Sequence, residues 1–274
     1  MSTIDFDFQI PPFSATASQI LAEINSPDVQ VSQLIKLIEC EPTIGSQVLR
    51  MANSPVYGCR REISTIGHAI VILGFRTVAQ QAIAAATGVV FNSANDECGD
   101  ARRQTYRESL SVATTGRVLS HHLRIANPDE AFLSGVMHDI GKLVLFQHAG
   151  STYTEMLSEH PDGRTSDREI AHFGVSHPGL GKACGLKWGL PYTINKAIET
   201  HHDSVCELDS PLSQVVVMAN YVARRWQIGF GLEAEIPVHA DIEERIGDVD
   251  AASIRDEIAD QFAAVEEICL GQAS

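Results

Sequence analysis

The stretch Phe132–Phe146, FLSGVMHDIGKLVLF, decides the fold. Phe132, Leu133, Val136, Ile140, Leu143 and Val144 recur at helical spacing and form an apolar stripe, so the segment reads as one buried helix. His138, Asp139 and Lys142 interrupt it. Burying an unpaired imidazole and carboxylate would cost several kcal/mol, so these groups need polar partners or a cation. Lys142 follows His138 by four residues, and one helical turn stacks the two side chains. A lysine there would hold a phosphate beside a metal, or neutralise Asp139 with no metal present.

Outward from this stretch the helical period persists. Ile20, Leu21 and Ile24 share a face, as do Val31, Leu34, Ile35 and Ile38, and then Ile44, Val48 and Met51. Asn127-Pro128 and Ser210-Pro211 read as N-caps followed by proline in the first turn. Ser166 with Glu169 fits a capping box, and Pro191 opens a helix running to His201. VVVMA, the one strand-like run, belongs better to the helix PLSQVVVMANYVARRW. Turn-rich residues 91–100 and the loop 227–241 divide the chain into a helical subdomain over 1–95, a second over 100–226, and an acidic loop and amphipathic helix over 227–274. In that last helix Ile254, Ile258 and Phe262 recur at i, i+4, i+8, a face that should dock on the chain's own body.

The 274 residues are 44% hydrophobic, enough for a substantial core. No apolar run approaches the ~20 residues of a membrane span, and the N-terminus has no basic and apolar export signal. Six cysteines without a CxxC pair read as reduced thiols, and the expected location is cytoplasmic. The formal net charge is −15, and residues 231–274 hold twelve Asp or Glu against Arg245 and Arg255. An acidic chain without a basic stripe repels phosphate backbones, which disfavours direct nucleic-acid binding. Arg60-Arg61 and Arg102-Arg103 read as solvated charges rather than phosphate grips.

Nine of the eleven histidines fall between His121 and His202, and this clustering asks for an explanation. Imidazole with carboxylate suits a divalent transition metal such as Fe, Mn, Ni or Zn. His177 should start one helix, and His201-His202 should end another. Neighbours on a helix point about 100° apart, so only one of that pair should face a given pocket.

The residues EPTIGSQVLRMANSPVYG (41–58), ISTIGHAIVILGFRTV (63–78), FLSGVMHDIGKLVLF, EIAHFGVSHPGLGKACGLKWGLP (169–191) and HHD make this chain resemble the HDOD family, a bacterial relative of the HD metal-dependent phosphohydrolases. The likeness covers roughly Pro11–Trp226. It implies an all-α protein with an N-terminal helical bundle packed on an HD-like multi-helix domain. It implies a metal set of Glu108, His138, Asp139, His177, His202 and Asn220, with His138, Asp139 and Lys142 as the catalytic candidates. Glu108 stands where such enzymes carry a first histidine, and Asn220 where they carry a late aspartate. Glu108 keeps an anionic oxygen donor, whereas Asn220 offers only a neutral amide oxygen, so the set loses one anionic ligand. The GYP element of cyclic-dinucleotide phosphodiesterases is missing from HHDSVCELDSPLSQ.

The resemblance therefore implies a regulatory or ligand-sensing module of bacterial signal transduction, weak or inactive as a catalyst. Its partners would be signalling proteins such as cyclic-di-GMP or two-component regulators, and a dimer is compatible with the sequence. The family match and the acidic tail account for the chain's length, so a stand-alone module acting by non-covalent contact is expected. The alternative is a metal-dependent phosphohydrolase acting on a nucleotide or cyclic nucleotide.

Overall fold

The computed structural model describes residues 9–26, 28–59, 61–92, 97–159, 165–230, 239–247 and 251–271. Residues 93–96 of the turn-rich segment 91–100, residues 231–238 of the loop 227–241, and Arg60 lie outside them. Among the described residues every regular element is helical, so the all-α expectation stands.

The first five α-helices are α1 (Ala15–Ile24), α2 (Val31–Glu39), α3 (Pro42–Ala52), α4 (Ile66–Leu73) and α5 (Phe75–Asn92). The next six are α6 (Gly99–Leu123), α7 (Pro128–Met137), α8 (Ile140–Glu159), α9 (Thr165–Phe173), α10 (His177–Trp188) and α11 (Tyr192–Thr200). Then come α12 (Pro211–Arg225), α13 (Ala240–Ile246) and α14 (Ala251–Leu270). The caps at Asn127 and Ser210 lie where the sequence places them. Asn127 accepts from the amides of Asp129 and Glu130, and Ser210 from that of Ser213. Ser166 does not cap α9: it sits inside the helix, and its hydroxyl has no hydrogen-bond partner among the described residues. Arg102, expected in solvent, is buried.

One continuous apolar cluster runs from Phe13 to Val265. Helix α5 packs on α1, α3 and α4 and also on α6 and α7, so it is shared by the helices on either side. Small residues bring α7 and α6 together: a Cβ on Gly135 would lie within 2.6 Å of the Ala113 nitrogen. The Ile254, Ile258 and Phe262 face of α14 is buried against α6 and α3, with Arg107 lying over the Phe262 ring and paired with Glu266. Among the described residues no helix is long and apolar enough to cross a membrane.

The decisive stretch is not one helix. Helix α7 stops at Met137, His138 caps it, and α8 starts at Ile140. His138 and Asp139 thus occupy a corner, which turns both side chains towards α10 and the end of α11.

Candidate metal centre

Two overlapping groups of donors come together at this corner. His138, Asp139 and His201 form one, and His177, His201 and His202 the other, the donor atoms of each lying within 4.8 Å of one another. The three imidazoles of His138, His177 and His201 are buried, as is Asp139, while His202 is exposed at the edge.

The backbone decides how these imidazoles present themselves. Nδ1 of His138 lies 2.8 Å from the Gly135 carbonyl oxygen, and Nδ1 of His201 lies 2.7 Å from that of Ile198. A carbonyl only accepts, so in both rings Nδ1 carries the proton and Nε2 keeps its lone pair. Both Nε2 atoms point at Asp139: His138 Nε2 is 3.4 Å from Oδ2, and His201 Nε2 is 3.6 Å from Oδ1. His177 Nε2 lies 3.2 Å from Asp139 Oδ1, 3.2 Å from His201 Nε2 and 3.0 Å from His202 Nε2. The His138 and His201 lone pairs thus face carboxylate oxygens, an arrangement that calls for a positive charge between them. Asp139 Oδ1 is buried without a properly formed hydrogen bond, whereas Oδ2 accepts from Lys142 Nζ at 2.7 Å.

This donor set fits a divalent transition metal. Bonds of about 2.1 Å at right-angled to tetrahedral angles put ligand atoms about 3.0–3.4 Å apart, the spacing of His177 Nε2 from Asp139 Oδ1, His201 Nε2 and His202 Nε2. Imidazole nitrogen with one carboxylate oxygen is the donor chemistry that first-row transition metals favour.

Charge follows the same geometry. Burial pushes His138 down to about 3, against the opposing pull of Asp139. Burial likewise lowers His201. It works against ionised Asp139 too, yet His138, Lys142 and the other imidazoles hold that carboxyl well below the usual range. Burial would lower His177 as well, but Glu169 and Asp139 outweigh it and raise the ring.

These shifts set a pH response of the metal-free chain. A histidine whose folded value lies below its unfolded value near 6.5 refuses a proton that the unfolded chain accepts. Stability therefore falls as pH drops below 6.5, approaching about 1.4 kcal/mol per pH unit for His138 alone. His177 acts in the opposite sense: its contribution is full below pH 6.5 and is lost as pH rises through its raised folded value. Below pH 6.5 the raised ring is protonated in both states and adds no slope, so the lowered rings of His138, His201 and His202 set the sign. We expect chelator-treated protein to lose stability to urea between pH 7 and pH 5, with a shallower slope in His138→Gln. An unchanged slope in that variant would contradict the assignment of His138 as buried and neutral.

Of the residues named from sequence, the structure gathers His138, Asp139, His177 and His202, and seats Lys142 on Asp139 rather than against His138. Glu108 belongs to neither donor group. It accepts from Gln104 at 2.9 Å and lies close enough to raise Lys142. Asn220 is buried on α12, which packs on α6, α7 and α11. Two residues were missed. His201 had been set aside by the 100° rule, which fails because α11 ends at Thr200 and the following turn directs His201 and His202 to one point. Glu169, read as a cap, is a fully buried partner of His177 instead.

An all-α chain whose His-Asp corner is closed by histidines from two later helices has the architecture of an HD-type helical domain. The chain belongs to the HDOD domain family, whose pattern matches residues 10–204. A curated relative, an uncharacterized protein of Treponema pallidum, is 25% identical over 223 residues, covering 78% of this chain and 42% of the relative. The chain thus spans under half of that relative's length. A solved HDOD domain protein of unknown function from Geobacter sulfurreducens has a TM-score of 0.75 at 23% identity, covering 95% of this chain and 93% of its own. A Shewanella amazonensis protein described as a candidate phosphohydrolase has a TM-score of 0.73 at 22% identity, covering 96% and 95%. Both are likenesses of fold.

Proposed function

We propose that this chain is a regulatory HDOD module whose buried His/Asp centre holds iron, manganese, nickel or zinc, and which works through non-covalent contacts with signalling proteins. Cyclic-di-GMP or two-component regulators are the partner class. The observation that carries the reading is Asp139 Oδ1, buried without a properly formed hydrogen bond among the described residues and faced by the imidazoles of His177 and His201. His138, Asp139 and His201 would hold a metal on one side of the corner and His177, His201 and His202 on the other, with His202 at the exposed edge. A metal bound there would polarise a phosphoryl oxygen or acidify a water.

The chain's own residues favour retention over turnover. His138, Asp139, His177 and His201 are all at most 4% exposed, which leaves a substrate little approach to the ligand atoms. Lys142 occupies the second oxygen of Asp139, so its ammonium is already neutralised rather than free to grip a phosphate. The centre contains one carboxylate, because Glu169 lies behind His177 and Glu108 stands beyond Lys142.

A metal-dependent phosphohydrolase acting on a nucleotide or cyclic nucleotide is the second reading. It draws on exposed His202 beside Lys142, whose side chain is 13% accessible. The two separate in one assay. Protein loaded in turn with each of the four metals is offered a panel of phosphomonoesters, phosphodiesters and cyclic nucleotides. We expect no turnover above that of Asp139→Asn; metal-dependent hydrolysis that vanishes in this variant would establish the enzyme instead.

A further inference from the structure

Beyond the five groups of the centre, one buried acid stands apart. Glu169 on α9 is fully buried, and its two oxygens take three donors. Oε1 accepts from the Tyr153 hydroxyl at 2.6 Å. Oε2 accepts from the His177 backbone amide at 2.6 Å and from His177 Nδ1 at 2.7 Å. A carboxylate deep in a core is tolerated only when donors saturate it, and here those donors come from a single histidine and a tyrosine of α8.

The need for this acid follows from where the histidines sit on their helices. His138 and His201 each follow the last residue of a helix, so the carbonyl three residues back takes their Nδ1 proton. Those carbonyls belong to Gly135 and Ile198. His177 is the first residue of α10, and no helical carbonyl precedes it. Its Nδ1 acceptor must come from another element, and Glu169 supplies it. Gripping ring and backbone amide through the same oxygen fixes the ring's direction as well as its tautomer. The negative charge also suits the start of α10, where the helix dipole is positive.

We propose that Glu169, held in place by Tyr153, is the positioning residue that orients His177 and keeps its proton on Nδ1, so that Nε2 faces Asp139, His201 and His202. The assignment rests on the metal-centre reading only for its effect on affinity. Carboxylate partners of ligating histidines fix the tautomer and raise ligand basicity, and losing one weakens metal binding 10–100-fold. Glutamine keeps the shape and the acceptor but removes the charge. Glu169→Gln should therefore weaken zinc binding 10–100-fold in a chelator competition, while Tyr153→Phe, which touches only Oε1, should change it less. Wild-type zinc affinity in folded Glu169→Gln would overturn the proposal.

A second measurement does not depend on metal or on a folded variant. In the metal-free wild-type chain, nitrogen-15 NMR of the histidine rings should show a His177 proton on Nδ1, strongly hydrogen-bonded and protected from exchange. A bare Nδ1 would overturn the proposal, whereas a purely structural role for Glu169 makes no demand on that proton. A wild-type chain that binds no zinc would remove the metal-centre reading and leave the ring-proton result to decide this one.

Discussion

Asp139→Ala is expected to abolish metal binding and to lower the stability of the metal-free chain by about 3–5 kcal/mol, the range for breaking a buried ion pair from one side. Asp139 balances Lys142 at 2.7 Å and stands against three imidazoles in a corner where its side chain is 6% exposed. Without it, the Lys142 ammonium keeps its desolvation and loses its nearest counter-charge. The loss lies in the orphaned partner rather than in the pair itself. The double variant Asp139→Leu with Lys142→Met should therefore recover most of the stability while still binding no metal, since apolar replacement of a whole buried pair is often neutral. Urea unfolding of the three proteins forms the test. A loss below about 1 kcal/mol in Asp139→Ala, the scale of a solvent-exposed pair, would show that Lys142 finds compensation elsewhere.

The second large effect is steric. Gly141 opens α8 directly against the start of α10: a Cβ there would overlap the His177 carbonyl oxygen, lie 2.6 Å from the Gly181 nitrogen and 2.8 Å from the His177 carbonyl carbon. The colliding atoms are all backbone, so no rotamer change relieves them. Gly141→Ala should destabilise the chain by about 3 kcal/mol or more, beyond the usual range for overpacking a side-chain core. At roughly 2–4 °C per kcal/mol for chains near this size, the thermal midpoint should fall by about 10 °C. Metal affinity should fall as well, because the α8–α10 contact holds His177 next to Asp139. A thermal midpoint within a degree or two of wild type would mean that this contact is looser than described.

The helices were legible because their signals are local. Asn127 and Ser210 cap helices where side chain and spacing said they would, and the Ile254, Ile258, Phe262 face of α14 docks on the chain itself. The apolar period of Phe132–Phe146 correctly marked buried helix, but hydrophobic spacing does not register a two-residue corner, because α7 and α8 bury the same kinds of side chain on either side of it. Much of the site was hidden for a related reason. The rule that placed His201 and His202 on different faces assumes helical geometry through both residues, whereas the helix expected to run to His201 stops at Thr200. Glu169 satisfied a capping-box pattern three residues after Ser166, yet that pattern describes only a local option. The competing demand, an acceptor for a histidine at the start of α10, comes from tertiary structure and has no sequence spacing. A signal was nevertheless available: an acid in a segment followed by SHP at a helix start could serve that histidine as well as its own helix.

The claim on which the account depends is that the imidazoles of His138, His177 and His201 converge with Asp139 because a divalent metal belongs between them. Metal content after exposure to manganese, iron, nickel or zinc and exhaustive dialysis tests this most directly, measured on the wild-type chain beside Asp139→Asn. The account predicts stoichiometric retention of at least one of the four metals by the wild type and none by the variant. A folded wild-type chain that emerges metal-free from all four exposures, or a variant that retains metal equally well, would contradict it.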